Sequence, residues 1–541
     1  MNARNLLHAT AIGIATVLVA CTEVANETAQ DASTDAAASP RMYRMQECCG
    51  APASLMSQPA YWDEGRESYP QFGDNPVKQV AEMPVSTFSI DVDTASYARM
   101  RRFINDGVLP PAEAVRTEEL VNYFSYDYPR PESRERPFRA DVALFDAPWD
   151  SGRQLLRIGM KGFDIPAGKR PPANLVFLID TSGSMHSPDK LPLVQSSLRM
   201  LTDAMDAEDR IALVAYAGAA GVVLKPTKGI DKLKILAAID GLRAGGSTAG
   251  GAGIELAYRL ARENFRDGAI NRVILATDGD FNVGISDPAR LEKLIAEKRK
   301  SGVYLSVLGF GKGNLQDSTM QSLAQAGNGN ASYIDSFQEA RKVLVDEIGG
   351  TLFPIADDVK VQIEFNPAYV AEYRLIGYET RMLKREDFNN DKVDAGEVGS
   401  GHTVTALYEI VSPQSASRRI DPLRYGDDVA KGKAGVANGE LAWLRIRYKL
   451  PGEDTSRLIE RPVAAAARTG FAEAPADARF AAAVAGFGQL LRGSDAIGDF
   501  TWNDVLGIAS DARGEDSFGY RAEFTRLVRT AAGLARLAAA H

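Results

Sequence analysis

An apolar run that ends in short oxygen-bearing side chains, at residues 175–184, constrains the fold most. Five apolar residues precede Asp180, and the turn that follows reads Asp180-Thr-Ser182-Gly-Ser184. A short apolar run bounded by polar residues predicts a strand buried on both faces, as in parallel sheets covered by helices. Ligands of such sheets bind beyond the carboxyl ends of the strands, so this turn is the candidate site.

Two later turns carry side chains of the same kind. Thr248 lies just after a glycine pair and before a predicted helix, and Asp278 follows another apolar strand. With the first turn they provide three hydroxyls and two carboxylates, and no His or Cys. Such hard oxygen ligands suit Mg²⁺ or Mn²⁺ and disfavour a metal that prefers thiolates. We predict Ser182, Ser184 and Thr248 as direct ligands. Asp180 and Asp278 would bind through water or orient the hydroxyls.

This five-residue pattern resembles, residue by residue, the metal-ion-dependent adhesion site of von Willebrand factor type A domains. The segments 217–224, 245–253 and 277–286 extend the resemblance to the bacterial YfbK-like lipoproteins, over about residues 75 to 541. The resemblance implies a binding module whose metal completes its coordination with a carboxylate from a partner protein. The alternative interpretation is ordinary loop hydroxyls and a helix N-cap, because Ser, Thr and Asp favour such turns.

Alternating strand and helix patterns predict an α/β fold, a doubly wound and mostly parallel six-stranded sheet with helices on both faces. Strand-like segments lie before and after this domain, and we infer that they pair into one β-sandwich-like body with C-terminal helices. The last helix of the inserted domain is predicted at 337–348, with Gly349 and Gly350 as a link. The predicted units are a signal peptide at 1–21, a tether at 22–75, an N-terminal region at 76–171, the von Willebrand factor type A domain (the A domain) at 172–350 and a C-terminal region at 351–541.

The charge balance bears on the class of partner. The 541 residues carry a formal net charge of −9 and no basic cluster. Binding to nucleic acid depends on clustered Lys and Arg that neutralise phosphates. The sequence therefore argues against nucleic acid as a partner, whereas the resemblance implies a partner protein that presents Asp or Glu.

The first 21 residues have the pattern of a targeting segment. Arg4 precedes the apolar segment 6–20, which is too short to span a bilayer as a stable helix. Leu18-Val-Ala-Cys21 fits the lipobox, whose cysteine is acylated, and a secretory signal with an incidental cysteine is the alternative. Lipid on Cys21 would tether the protein to a membrane that it does not cross. Thr22 favours the outer membrane of a Gram-negative cell, so we predict its periplasmic face or the cell surface.

The tether is predicted from composition. Residues 22–40 are mostly Ala, Ser, Thr, Asp and Glu, too polar to offset the entropy cost of ordering. Cys48 and Cys49 are adjacent. In an oxidising compartment they could form disulfides between copies of the chain, since neighbouring cysteines rarely bond each other well.

A hydrolase is the second class of function. Asp91-Val-Asp93 resembles the D-x-D motif of haloacid-dehalogenase-like phosphatases, although Ala95 stands where Thr or Val is expected. A strand end with a capping Asp is the other interpretation. His186 could act as a base beside a metal-bound water. We predict instead that His186 and Asp280 lie on the rim of the metal site and contact the partner, and that the protein is not an enzyme.

Overall fold

The computed structural model describes residues 67, 69, 71–90, 93–166, 169–246, 250–279, 287–313, 315–393, 395–421 and 439–539. The strands in these residues are β1 Lys78–Gln79, β2 Val85–Ser89, β3 Phe138–Ala147, β4 Asp150–Gly162, β5 Ala173–Asp180, β6 Arg210–Tyr216, β7 Ala220–Lys228, β8 Ile270–Thr277, β9 Tyr304–Phe310, β10 Ala331–Ile334, β11 Pro354–Phe365, β12 Glu372–Ile376, β13 Gly396–Gly399, β14 Thr403–Val411, β15 Glu440–Lys449, β16 Arg457–Ala464 and β17 Arg468–Thr469. The α-helices are α1 Ala95–Asn105, α2 Thr117–Asn122, α3 Leu191–Ala204, α4 Lys232–Asp240, α5 Gly250–Glu263, α6 Pro288–Arg299, α7 Asp317–Ala326, α8 Phe337–Arg341, α9 Ile348–Leu352, α10 Ala476–Arg492, α11 Trp502–Asp511 and α12 Tyr520–Ala539.

The A domain is built on a six-stranded sheet with the order β10-β9-β8-β5-β6-β7. Its strands run parallel except for the edge strand β7, which pairs antiparallel with β6. Every residue of β5 is buried, as the unbroken apolar run predicts. The connections from β5 proceed first to β6 on one side and later to β8 on the other. The point between β5 and β8 is therefore the switch point at which such sheets bind ligands.

Helices cover both faces of this sheet, which confirms the predicted doubly wound α/β class. On one face α3 buries Leu191, Val194, Leu198 and Leu201 at the spacing of an amphipathic helix. The other face is covered by α5, α6 and α7, and it also receives Ala98 from α1, a helix that precedes the A domain in the chain.

The strands on either side of the A domain pair with each other in two sheets. One sheet has the order β1-β12-β14-β4-β3-β17, and the other has the order β13-β11-β15-β16 with β2 also on β11. Leu156 pairs with Tyr408 in the first sheet and Ile363 with Leu444 in the second, and all four side chains share one core. The predicted β-sandwich-like body is thus confirmed.

The C-terminal helices cover the outer face of the first sheet. Successive residues of a strand point to opposite faces. Leu156 accordingly faces the sandwich core, while Leu155 joins a second core with Phe487 of α10 and Phe524 of α12. The two phenylalanine rings meet edge to face, with centroids 5.2 Å apart. The helices therefore pack on protein. No helix in the described part of the chain is long and apolar enough to cross a membrane.

The prediction of one helix at 337–348 followed by a glycine link was wrong. The segment consists of α8, a π-helical turn at Lys342–Asp346, and α9. Gly349 and Gly350 lie inside α9, where the helix packs closely on the body. A Cβ at Gly399 would lie 1.7 Å from the Gly350 carbonyl oxygen, and one at Gly350 would lie 2.8 Å from Nδ1 of His402. These glycines permit close packing of backbones.

Packed structure also begins before residue 76, inside the segment predicted as a tether. The Asn75 side chain donates to the carbonyl oxygens of Leu375 and Gly377, at 3.1 and 2.7 Å. Asp74 pairs with Arg492 at 2.8 Å. Residues 74 and 75 therefore belong to the body.

Candidate metal centre

The first turn of the site is positioned by β5, whose last residue is Asp180. The carboxylate of Asp180 is fully buried and accepts the Ser182 backbone N–H on Oδ1 at 2.8 Å. The hydroxyls of Tyr216 and Thr277, on the two strands beside β5, each donate to Oδ2 at 3.4 Å. Asp180 is therefore held in place by both neighbouring strands.

The two serine hydroxyls of this turn lie side by side. A short 3₁₀ helix, Gly183–His186, follows Ser182 and brings Ser184 Oγ to 3.0 Å from Ser182 Oγ. Neighbouring ligands of an octahedral Mg²⁺ lie about 3 Å apart, because each metal–oxygen bond is about 2.1 Å. Ser182 is buried, whereas Ser184 is exposed. The residues present thus fit a small divalent ion that is open to solvent on one side.

The second carboxylate, Asp278, follows β8 and is 1% exposed. Its Oδ2 accepts a hydrogen bond from the Lys190 ammonium group at 2.9 Å. The backbone N–H of Gly279 donates to the Thr277 hydroxyl at 3.1 Å, which fixes the start of the turn. The sequence analysis missed Lys190, because nothing in its local pattern connects it with a residue 88 positions away.

A third turn is attached to the first through its backbone. Gly245 donates to the Thr181 carbonyl oxygen at 2.7 Å, and Gly183 donates to that of Gly246 at 3.1 Å. Gly246 has a φ of +93°, a conformation that favours glycine. The predicted ligand Thr248 follows this turn but lies outside the described residues.

Burial makes the ionised form of the Asp180 carboxylate unfavourable. It raises the pKa of Asp180 to about 6, and the nearby negative charge of Asp278 adds to the shift. A carboxylate taken out of water favours a positive partner that restores its ionised form. In the described residues no cluster of three or more His, Cys, Asp or Glu side chains could hold a metal. Any metal at this turn would therefore be held by the serine hydroxyls as well as by the carboxylates.

The structure thus brings Asp180, Ser182, Ser184 and Asp278 together at the carboxyl ends of β5 and β8. His186 is exposed on the same turn, where a rim residue would lie. Several other predicted residues fall where the structure gives no description, namely Cys21, Cys48, Cys49, Asp91 and Asp280.

Asp93 of the alternative D-x-D motif has structural partners. Its Oδ1 accepts the backbone N–H of Ala331 at 2.9 Å, and its Oδ2 accepts a guanidinium N–H of Arg381 at 3.1 Å. The side chain is 8% exposed. Asp93 therefore joins the edge of the A domain to the body, which favours the structural interpretation of this segment.

The sheet order, with its single antiparallel edge strand, and the Asp-x-Ser-x-Ser turn at its switch point define a von Willebrand factor type A domain. The family model described as "von Willebrand factor type A domain" matches residues 174–346. Models described as "von Willebrand factor" and as "Uncharacterized protein YfbK, C-terminal" match residues 63–157 and 350–534.

Relatives identify the family more closely. YfbK of Escherichia coli K12 is 50% identical over 478 residues, which cover 87% of this chain and 82% of that protein. The chain belongs to the YfbK family. The protein sll0103 of Synechocystis is 30% identical, over 37% of this chain and 48% of its own. A solved structure described as von Willebrand factor type A from Catenulispora acidiphila is 16% identical, covers 74% of this chain and 91% of its own, and has a TM-score of 0.39.

Proposed function

We propose that this protein is a divalent-metal-dependent protein-binding module that captures a carboxylate of its partner. The observation that carries the proposal is the arrangement of Asp180, Ser182, Ser184 and Asp278 at one end of the sheet, with the serine hydroxyls 3.0 Å apart. These residues would hold Mg²⁺ or Mn²⁺ together with Thr248, the remaining hydroxyl of the pattern.

The site would leave one coordination position for the partner. A bound Mg²⁺ or Mn²⁺ supplies a strong, directional bond to an incoming Asp or Glu oxygen. Ser184 and His186 are exposed, and they would face the approaching partner. His186 and Asp280 would then contact the partner around the metal, and specificity would depend on these rim contacts.

The Mg²⁺ site is tested by thermal unfolding of the wild type, Asp180→Ala and the control Asp203→Ala, which removes an exposed carboxylate of α3. Mg²⁺ at 100 times its Kd should stabilise the wild type by about 2.7 kcal/mol, and so raise its Tm by roughly 5 °C. The control should respond equally, and Asp180→Ala should not respond. Equal shifts in all three chains would contradict the assignment.

We also propose that lipid on Cys21 tethers the protein to the bacterial envelope, on the periplasmic face of the outer membrane or on the cell surface. The basis is the lipobox pattern at residues 18–21. The lipid would be the only contact with the membrane, and no nucleic acid would be bound.

The tether is tested by Cys21→Ser. Metabolic labelling with a radioactive fatty acid should mark the wild type but not the variant, and the variant should leave the washed membrane fraction. Cys48→Ser is the matched control and should remain labelled. A Cys21→Ser protein that stays in the membranes would mean that another segment anchors the chain.

A further inference from the structure

Lys190 places a positive charge inside the candidate metal centre. Its ammonium group lies 2.9 Å from Asp278 Oδ2, and the two side chains are 8% and 0% exposed. Of the described carboxylates, Asp278 is the one within ion-pair distance of Lys190, and Asp180 is not. The ammonium therefore sits beside one acidic member of the site rather than between the two.

The fold holds the whole Lys190 side chain in this position. Its backbone N–H donates to Ser187 at 3.0 Å, and its carbonyl oxygen accepts the N–H of Val194 at 2.9 Å at the start of α3. The aliphatic stem lies against Gly311, where a Cβ would be 2.3 Å from Lys190 Cγ and 2.4 Å from Cε. Fixing a long lysine side chain in one buried conformation costs side-chain entropy. A buried and fixed lysine at this point therefore calls for a compensating role.

We propose that Lys190 is the resident counter-charge of the metal centre and leaves the loaded site positive toward a partner's carboxylate. Asp180, Asp278 and Lys190 are buried and together carry a charge of −1, so a divalent ion brings this inner group of charges to +1. Without Lys190 the loaded site would be neutral. This role rests on the proposed function, since it presupposes the metal.

The role has two consequences of opposite sign. Without the ammonium group, a divalent cation no longer meets a like charge, and it binds more tightly. The loaded site then has less positive charge, and it binds a carboxylate more weakly. A merely structural role for Lys190 predicts weaker metal binding on substitution. The direction of the change in metal affinity therefore separates the two roles.

The test is calorimetric titration of MgCl₂ into the full-length wild type, Lys190→Gln, Lys190→Met and Lys190→Arg. The Gln and Met variants should bind Mg²⁺ about tenfold more tightly, as expected when a unit charge near a divalent ion is removed. Lys190→Arg keeps the charge and should retain the wild-type Kd. Gln can still donate a hydrogen bond to Asp278, so this variant decides the question if Lys190→Met does not fold.

Lys312→Gln is the matched control for a change in overall charge. Lys312 is 51% exposed and pairs with Asp106, outside the site. The Lys312→Gln substitution should leave the Kd for Mg²⁺ unchanged. A folded Lys190→Gln chain with unchanged or weaker Mg²⁺ binding would overturn the role of Lys190 alone. No Mg²⁺ binding by any chain, wild type included, would overturn both this role and the metal site.

The partner side of the proposal uses sodium acetate as a minimal carboxylate. At saturating Mg²⁺, acetate should raise the Tm of the wild type and Lys190→Arg more than sodium chloride of equal ionic strength does. The rise should be smaller in Lys190→Gln. Equal rises in all three chains would overturn the claim that the lysine makes the loaded site attractive to carboxylates.

Discussion

Replacing Asp317 with alanine should lower the free energy of unfolding by about 3 to 5 kcal/mol, the cost of removing one partner from a buried ion pair. Asp317 begins α7 of the A domain and is 2% exposed. It pairs with Arg99 of α1 and with Arg116, whose Nη1 lies 2.6 Å from Oδ2. Without Asp317 two buried guanidinium groups lose this carboxylate. Denaturant unfolding of wild type and variant measures the loss.

The control for this prediction is Asp240→Ala. Asp240 pairs with Arg199 on the surface, where the side chains are 56% and 44% exposed, so its removal should cost at most about 1 kcal/mol. A loss in Asp317→Ala no larger than that in Asp240→Ala would mean that the buried pairs stabilise the fold no more than a surface pair does.

The same carboxylate makes stability depend on acid pH. Burial alone would raise the pKa of Asp317, but the positive charges of Arg116 and Arg99 outweigh it and lower the pKa from 3.8 to about 2. Because the folded value lies below the unfolded one, the ionised carboxylate stabilises the fold above about pH 4, and this contribution is lost as pH falls toward 2. As the pH falls from about 4 to about 2, the free energy of unfolding of Asp317→Asn should therefore decrease less than that of the wild type.

The ligand turn could be predicted from sequence because its geometry is local. Ser182 and Ser184 are two positions apart, and the apolar run before them can satisfy its backbone and bury its side chains only in a covered sheet. The β-sandwich was predictable for a related reason. A half-buried strand alternates apolar and polar residues, a fully buried strand is a short apolar run, and both patterns can be read from the sequence. These features depend on neighbours in the chain.

The charged contacts that join the A domain to the body could not be predicted in this way. Arg101 donates to Asp335, 234 positions later, and to Glu523, 422 positions later. In the sequence such arginines look like the solvated face of a helix. The π-helical turn was missed for another reason: it places Lys342 4.6 Å from the centre of the Tyr123 ring, a contact that the 3.6-residue period does not encode.

The second large effect is expected for Arg101→Met. Arg101 is 2% exposed, and its guanidinium group serves the A domain and the body together. It lies 2.8 Å from Asp335 and 2.7 Å from Glu339, both in the A domain, and 3.1 Å from Glu523 of α12. Methionine fills part of the space but leaves three carboxylates buried near one another. The loss should be at least about 3 to 5 kcal/mol, and hydrogen exchange should become faster in residues 335–341 and 520–526.

Glu339→Gln in the Arg101→Met background distinguishes the loss of charge balance from a packing defect. Burial raises the pKa of Glu339 even with Arg101 beside it, so this carboxylate depends on its cation. The substitution should destabilise the wild type but restore part of the stability of Arg101→Met, because one of the repelling charges is gone. Arg457→Met, which removes an exposed partner of Glu453, should cost at most about 1 kcal/mol. If Glu339→Gln costs the same in both backgrounds, the guanidinium group contributes through its packing and not through its charge.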